Sequence, residues 1–269
     1  MKAIKLFTYA AILLAAGLAS AAFINPKHTP AVMGHKVMAG DEGFAVVELF
    51  TSEGCSSCPS ADAVVAKIDK ETTGRPVYIL AYHVDYWNRL GWKDVFSNAD
   101  YSRRQSIYAN WLKLGSVYTP QIIVNGHTAF VGSQEGTLRN AITTGINKKS
   151  RSQLSFEGLK ATGSQASVKY STAGITAGNA LVLALVEKNA STVVKSGENG
   201  GRTLSHVQIV SQLQSINLNG DKSGEAKITL PGSFSASNYE VIGFIQNTQT
   251  GEIKAAARTA FPAMVSASN

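Results

Sequence analysis

The sequence predicts a mixed α/β domain followed by an all-β sandwich in one chain of 269 residues. An apolar strand, a helix and a second apolar strand follow one another in the first half, an order typical of parallel sheets. After residue 149 the chain changes to short β-type runs separated by turns rich in Gly, Ser and Asn. The length suits two domains of roughly 100–150 residues each. We therefore place the α/β domain at residues 44–149, the sandwich at 150–262 and a tail at 263–269.

The α/β domain opens with residues 44–50, which are mostly apolar on both faces. This is expected of a strand in a sheet that is covered on both sides. Residues 55–72 have apolar side chains at helical spacing, and residues 76–84 predict the next strand. This order predicts a parallel strand pair joined by a right-handed crossover.

Residues 85–118 form an aromatic-rich insertion with a helix predicted over 101–114. A strand over 117–124, an Asn125-Gly126 turn, a strand over 127–131 and a helix over 136–148 complete the domain. All three tryptophans of the chain lie in the insertion. Most of its aromatic side chains are expected to form a local core, and one or two to line a groove beside the functional site.

Seven β-type runs with frequent turns predict the sandwich. They cover residues 154–156, 165–170, 180–187, 203–213, 225–230, 238–247 and 254–259.

The N-terminus predicts an exported protein. Lys2 and Lys5 precede an apolar stretch, and Ala19-Ser20-Ala21 fits a cleavage site, so residues 1–22 are interpreted as a signal peptide and 23–43 as a linker. We expect a periplasmic or extracellular location. The alternative is an uncleaved segment that anchors the chain in the inner membrane, the one case in which a membrane contact is expected.

The net charge is +7, yet there is no run of basic residues, so a role in nucleic-acid binding is not indicated. The two cysteines of the chain, Cys55 and Cys58, lie three positions apart and form a disulfide readily in an oxidising compartment. Because so short a loop contributes little entropic stabilisation, the pair favours chemistry over stapling. A purely structural disulfide in a non-catalytic protein remains the alternative.

A cysteine pair that opens a helix lies where partial positive charge stabilises a thiolate and lowers its pKa. Cys55 is the candidate nucleophile and Cys58 the cysteine that resolves a mixed disulfide. The expected partner is a protein or small-molecule thiol or disulfide, and no cofactor is required. There is no second cysteine pair to complete a zinc site.

His83 and Asp85 follow the second strand at the sheet edge where the cysteine pair lies. Three interpretations stay open: a Cu(I) or other soft-metal site of Cys55, Cys58 and His83; proton transfer by His83 or Asp85; or a histidine that only orders a loop. Glu48, if it points inward, is a buried carboxylate that could accept a proton from Cys58.

Residues 197–202 form a Gly-rich polar loop in the second domain. Such a loop is usually a simple turn. The alternative is that Glu198 and Asn199 dock on the first domain near the cysteine pair.

Several stretches resemble one family of exported bacterial proteins, domain of unknown function 1223 (DUF1223). They are residues 46–59, 83–87, 90–94, 118–121 and 197–199. The resemblance implies a thioredoxin-like fold for the first domain and leaves the reaction open. It also implies that Pro120, preceded by Thr119, is a cis proline that faces the cysteine pair. The chain differs from thioredoxin in its Ser56-Ser57 dipeptide and in having Gly54 where thioredoxin has tryptophan, which is expected to leave that flank open.

Overall fold

Two β-sheets and three α-helices build the fold of residues 43–220 and 222–262, the part of the chain that the computed structural model describes. All of these residues lie within one unit. The helices are α1 (Cys58–Glu71), α2 (Ala99–Leu112) and α3 (Glu135–Asn147). The strands are β1 (Ala45–Thr51), β2 (Val77–His83), β3 (Gln121–Val124), β4 (Thr128–Val131), β5 (Gln153–Thr162), β6 (Gln165–Ala173), β7 (Ala177–Val193), β8 (Thr203–Asn219), β9 (Ser223–Thr229), β10 (Tyr239–Asn247) and β11 (Ile253–Ala260).

The larger sheet has eight strands in the order β11-β10-β7-β8-β2-β1-β3-β4, and the smaller has the order β5-β6-β9. Strands β1 and β2 are parallel and are joined through α1, whereas β1 and β3 are antiparallel. Strands β3 and β4 form a hairpin at Asn125-Gly126, whose positive φ angles of 51° and 74° are those that this tight turn requires. The molecule is therefore a mixed α/β protein dominated by sheets.

The two faces of β1 bury different helices, because successive side chains of a strand point to opposite sides. Val47 and Leu49 pack with the apolar residues of α1 and α3. Val46 and Phe50 pack on the opposite face, with Tyr101 and Tyr108 of α2. This double burial explains why the sequence of β1 is apolar on nearly every position.

The larger sheet is continuous across residue 150, where the sequence placed a domain boundary. Strand β2 pairs in parallel with β8 at Ala81 and Ile209, so strands from both predicted domains share one sheet. The smaller sheet packs on β7, β10 and β11 through an apolar core that includes Phe156, Val168 and Leu183. The expected two-layer packing is present, but one layer extends into the α/β half. The boundary itself stays a prediction.

Two element bounds differ from the sequence interpretation for clear reasons. Strand β3 begins after Pro120 and not at Val117, because proline has no N–H for the sheet ladder. Strands β7 and β8 are each 17 residues long, and they extend to Val193 and Asn219 through segments in which exposed residues alternate with partly or fully buried ones. The alternation of apolar residues that predicts a strand ends before such polar extensions.

The predicted signal peptide, nearly all of the predicted linker and all of the predicted tail lie outside the described residues. Within residues 43–220 and 222–262, no helix is long and apolar enough to cross a membrane.

Candidate functional site

The site is centred on a disulfide between Cys55 and Cys58. Helix α1 begins at Cys58 and not at Cys55, because Cys55 and the two serines form a turn in which the Cys58 N–H donates to the Cys55 carbonyl. Pro59 lies in the first turn of the helix, where its missing N–H costs no hydrogen bond. Ser56 and Ser57 are exposed, whereas Cys55 is 1% and Cys58 0% exposed.

Pro120 lies against the first turns of α1. The Thr119–Pro120 peptide bond is cis. A Cβ atom added to Gly132 would lie 2.9 Å from the Cβ of Ala61 and 3.1 Å from that of Pro120, so only glycine fits between helix and proline. Ala61 follows Cys58 by three positions, a spacing at which two residues share one face of a helix.

Trp87 covers the flank that the sequence predicted to be open. A Cβ atom added to Gly54 would lie 3.1 Å from the Cβ of Trp87. The Trp87 indole N–H also donates to the Thr119 hydroxyl at 2.8 Å. The expectation of an open flank was wrong, because a tryptophan from the insertion occupies the space that Gly54 leaves.

Glu48 does not lie with the cysteine pair. Its carboxylate pairs with Arg104 of α2 at 2.6 Å and also accepts from the Tyr108 hydroxyl. Both contacts are on the face of β1 opposite α1. The hypothesis that Glu48 takes a proton from Cys58 is therefore corrected, because the alternation of β1 directs this side chain away from the cysteines.

His83 lies in a buried polar cluster at the ends of β1 and β2, and Asp85 does not. His83 Nδ1 and Asp94 Oδ2 are 2.7 Å apart, and both side chains are fully buried. Asp85 instead accepts a hydrogen bond from the Ser102 hydroxyl at 2.5 Å, which ties it to α2.

The rest of this cluster comes from three separate elements. His206 of β8 lies between Glu53, at 3.4 Å from Nε2, and Asp62 of α1, at 3.6 Å from Nδ1. The rings of His206 and His83 meet edge to face, with centroids 4.8 Å apart. We name Glu53, Asp62, His83, Asp94 and His206 the acid–histidine cluster.

Hydrogen bonds fix the carboxylates of the acid–histidine cluster. Asp62 accepts from the Thr51 hydroxyl at 3.0 Å. Asp94 accepts from the Glu53 backbone N–H at 2.8 Å, and Glu53 accepts from the Trp92 indole N–H at 2.7 Å. Both ring nitrogens of His206 lack a hydrogen-bond partner among the described residues, so its two carboxylate contacts are ion pairs longer than hydrogen bonds.

Electrostatics keep the cluster charged despite its burial. Burial disfavours the imidazolium of His206, but Asp62 and Glu53 outweigh it and raise its pKa to about 9. Burial likewise opposes ionisation of Glu53, yet the contacts with His206 and Trp92 lower the Glu53 pKa. Burial also opposes ionisation of Asp94, yet the contact with His83 and the backbone N–H groups of Glu53 and Phe96 lower the Asp94 pKa. His206, which lies between the carboxylates of Asp62 and Glu53, is therefore a cation at neutral pH.

The stability of the protein should depend on His206 in alkaline solution. A histidine whose pKa rises on folding makes its full contribution to stability below the pKa that it has in the unfolded chain. It loses that contribution as the pH rises through its pKa in the folded protein. Below about pH 6.5, this contribution should add on the order of 3 kcal/mol to the free energy of unfolding of the wild type relative to His206→Gln. The added stability should disappear as the pH rises through about 9. Urea unfolding of both proteins at intervals from pH 6 to 10 measures this. A difference that does not change with pH would contradict the assignment.

The loop between β7 and β8, residues 194–202, docks on the cysteine turn. Asn199 is fully buried, and its amide donates to the backbone carbonyls of Glu53 at 2.8 Å and Cys55 at 3.0 Å. The exposed Glu198 carboxylate accepts the Ser56 N–H at 2.9 Å. The loop thus contacts the backbone on both sides of Cys55, although it follows the cysteines by about 140 residues.

The next question is whether the described residues form a metal site. Within residues 43–220 and 222–262, no three His, Cys, Asp or Glu residues are arranged to hold a metal ion. His83 Nδ1 is engaged by Asp94.

Sequence reasoning missed Glu53, Asp62, Asp94 and the role of His206. Asp62 had a usable signal: it follows Cys58 by four positions on the apolar face of a helix, where a carboxylate is unusual. His206 lies on β8, more than 120 residues after His83 in the chain. Local spacing in the sequence cannot predict that the two histidines meet.

These features define a mixed α/β protein whose first helix begins at a cysteine-pair disulfide beside a buried acid–histidine cluster. The chain belongs to the family described as protein of unknown function DUF1223, whose model matches residues 46–246. The resemblance noted from the sequence motifs is confirmed.

Two solved structures are similar over most of the chain. Protein AGR_C_4864 from Agrobacterium tumefaciens has 26% identity and a TM-score of 0.61, covering 82% of this chain and 96% of that one. HBP35 of Porphyromonas gingivalis has 16% identity and a TM-score of 0.58, covering 82% of this chain and 76% of that one, and shows likeness of fold alone. No curated protein gives a significant match.

Proposed function

We propose that this protein carries out thiol–disulfide exchange through Cys55 and Cys58, as an exported protein with a thioredoxin-like module. The observation that carries the proposal is the Cys55–Cys58 disulfide at the start of α1, directly after the buried strand β1. The strand order β2-β1-β3-β4, with α1 and α3 on one face and α2 on the other, supports a thioredoxin-like interpretation of this half.

The position of the pair favours chemistry over a structural role. A disulfide that spans three positions closes too short a loop to stabilise the fold much. The start of a helix, in contrast, supplies N–H groups and partial positive charge that favour a thiolate.

The proposed roles follow from the order of the two cysteines. Cys55, in the turn before the helix, attacks the substrate disulfide and forms a mixed disulfide. Cys58, the first helical residue, resolves it. Pro120 shapes the substrate groove beside them, and the substrate is a protein or small-molecule disulfide or thiol.

A glutathione redox titration of the full chain tests the proposal. The wild type should show one two-electron transition at a potential above about −300 mV, because exchange-active disulfides are more oxidising than structural ones. With oxidised glutathione, reduced Cys58→Ser should accumulate a mixed disulfide on Cys55, and Cys55→Ser should show no exchange. Ser60→Ala, an exposed change in the first turn of α1 whose hydroxyl donates to the Ser57 carbonyl and not to a sulfur, is the matched control.

Two outcomes would replace the proposal. A potential below about −300 mV with a slow thiol would assign the disulfide a structural role. Tight Cu(I) binding by the reduced protein without exchange activity, weakened by His83→Ala, would assign the cysteines to a metal.

A further inference from the structure

Cys58 is fully buried, so solvent cannot directly take a proton from its thiol. Resolution of a mixed disulfide requires the Cys58 thiolate, because the thiolate is the attacking species. A proton acceptor inside the protein is therefore needed close to Cys58.

Asp62 is the carboxylate in position to accept the proton of Cys58. It follows Cys58 by four positions in α1, and side chains at this spacing are neighbours on one face of a helix. It is 9% exposed, and the Thr51 hydroxyl fixes one of its oxygens while the other faces His206.

We propose that Asp62 accepts the proton of Cys58 during thiol–disulfide exchange and that His206, held by Glu53, is the residue that positions it. This inference rests on the proposed function. It assigns a chemical task to the paired charges of the acid–histidine cluster.

The step is balanced within the mixed disulfide of Cys55 and a substrate sulfur. The Cys58 thiol gives its proton to the Asp62 carboxylate, and the Cys58 thiolate attacks the Cys55 sulfur. The Cys55–Cys58 bond forms as the bond from Cys55 to the substrate breaks. The substrate sulfur leaves with the electron pair and takes the proton from Asp62, so the cysteines are oxidised and the substrate is reduced.

The arrangement of two carboxylates around one imidazole suits this task. When Asp62 is protonated, the His206 cation still has Glu53 at 3.4 Å, so no buried charge loses its last partner. When Asp62 is ionised, the same cation offsets the repulsion between the two carboxylates. His83 and Asp94, paired with each other, border the cluster on the side of β2.

Rapid-quench mass spectrometry with oxidised glutathione tests the inference on the reduced full chain. The decay of the Cys55–glutathione intermediate should be about 100-fold slower in Asp62→Asn at neutral pH and should recover in alkaline solution. Asp62→Glu should restore part of the rate. His206→Gln removes the cation between the two carboxylates, so the pH profile of the decay should move to higher pH.

Asp69→Asn is the matched control, because Asp69 is on the same helix and outside the acid–histidine cluster. If Asp62→Asn folds and resolves the intermediate as fast as the control, or faster, the inference is overturned while exchange itself stands. If Asp62→Asn does not fold, an unshifted pH profile in His206→Gln overturns it. A wild type that never forms the intermediate defeats the proposed function instead.

Discussion

Replacing Arg104 with methionine is expected to lower the free energy of unfolding by about 3–5 kcal/mol, because it leaves the carboxylate of Glu48 buried without its cation. The Glu48 side chain is fully buried and that of Arg104 is 10% exposed. Urea unfolding at neutral pH measures the loss.

The size of the effect follows from the number of groups that share the Arg104 guanidinium. It donates to Glu48, to the Tyr108 hydroxyl at 3.1 Å and to the Gln246 side chain at 3.1 Å. It also lies over the rings of Tyr82, Tyr108 and Phe244, at 5.0–5.5 Å from their centroids. These contacts join α2 to β1 and β10, so their loss weakens the packing between the two halves of the chain.

Arg103→Met is the control, because Arg103 neighbours Arg104 on α2 but is 69% exposed and pairs with the exposed Asp100. It should cost less than about 1 kcal/mol. The double variant Glu48→Leu with Arg104→Met should recover part of the loss, since it removes both buried charges. Equal stabilities for Arg103→Met and Arg104→Met would contradict the argument.

Glu48 also shows where sequence reasoning reached its limit. The apolar run around it predicts a strand buried on both faces, and β1 has that burial at all seven positions. Which face a residue occupies depends on the register with β2 and β3 and on which helix covers each side. That information is not local, so the partner of Glu48 could not be read from its own segment.

The elements themselves were accessible because their signals are local. The spacing of apolar residues predicts α1, helix-start signals predict α2, and the Asn125-Gly126 turn predicts the β3–β4 hairpin. The pairing of β2 with β8, which joins strands of the two predicted domains in one sheet, could not be predicted from the sequence. Ala81 and Ile209 are 128 positions apart, and no turn signal connects them.

The candidate site divides in the same way. Cys55 and Cys58 lie three positions apart and are visible as a motif. His206 and Asn199 are brought to them by β8 and by the loop that precedes it. A polar side chain in a distant strand looks like any other polar residue until the sheet brings it to the cysteines.

Replacing Asn199 with alanine is expected to expose Cys55 and to speed reduction of the disulfide by dithiothreitol. The Asn199 amide satisfies the carbonyls of Glu53 and Cys55, and each buried group left without a partner costs about 1–3 kcal/mol. A cost of about 2 kcal/mol on the docked form favours the undocked loop about 30-fold, and reduction should accelerate by a similar factor. The rate is followed by trapping the free thiols with a mass-tagged alkylating agent under native conditions.

Two further variants separate docking of the loop from general loss of stability. Asn199→Asp keeps the shape but places a carboxylate against two carbonyl oxygens, so it should accelerate reduction at least as much as alanine. Glu198→Gln retains an oxygen that can accept the Ser56 N–H, so it should change the rate little. Cys55 is only 1% exposed with the loop in place, so we expect the loop to move before a substrate reaches the disulfide. Reduction of Asn199→Ala and Asn199→Asp at the wild-type rate would show instead that the disulfide is reached by another route.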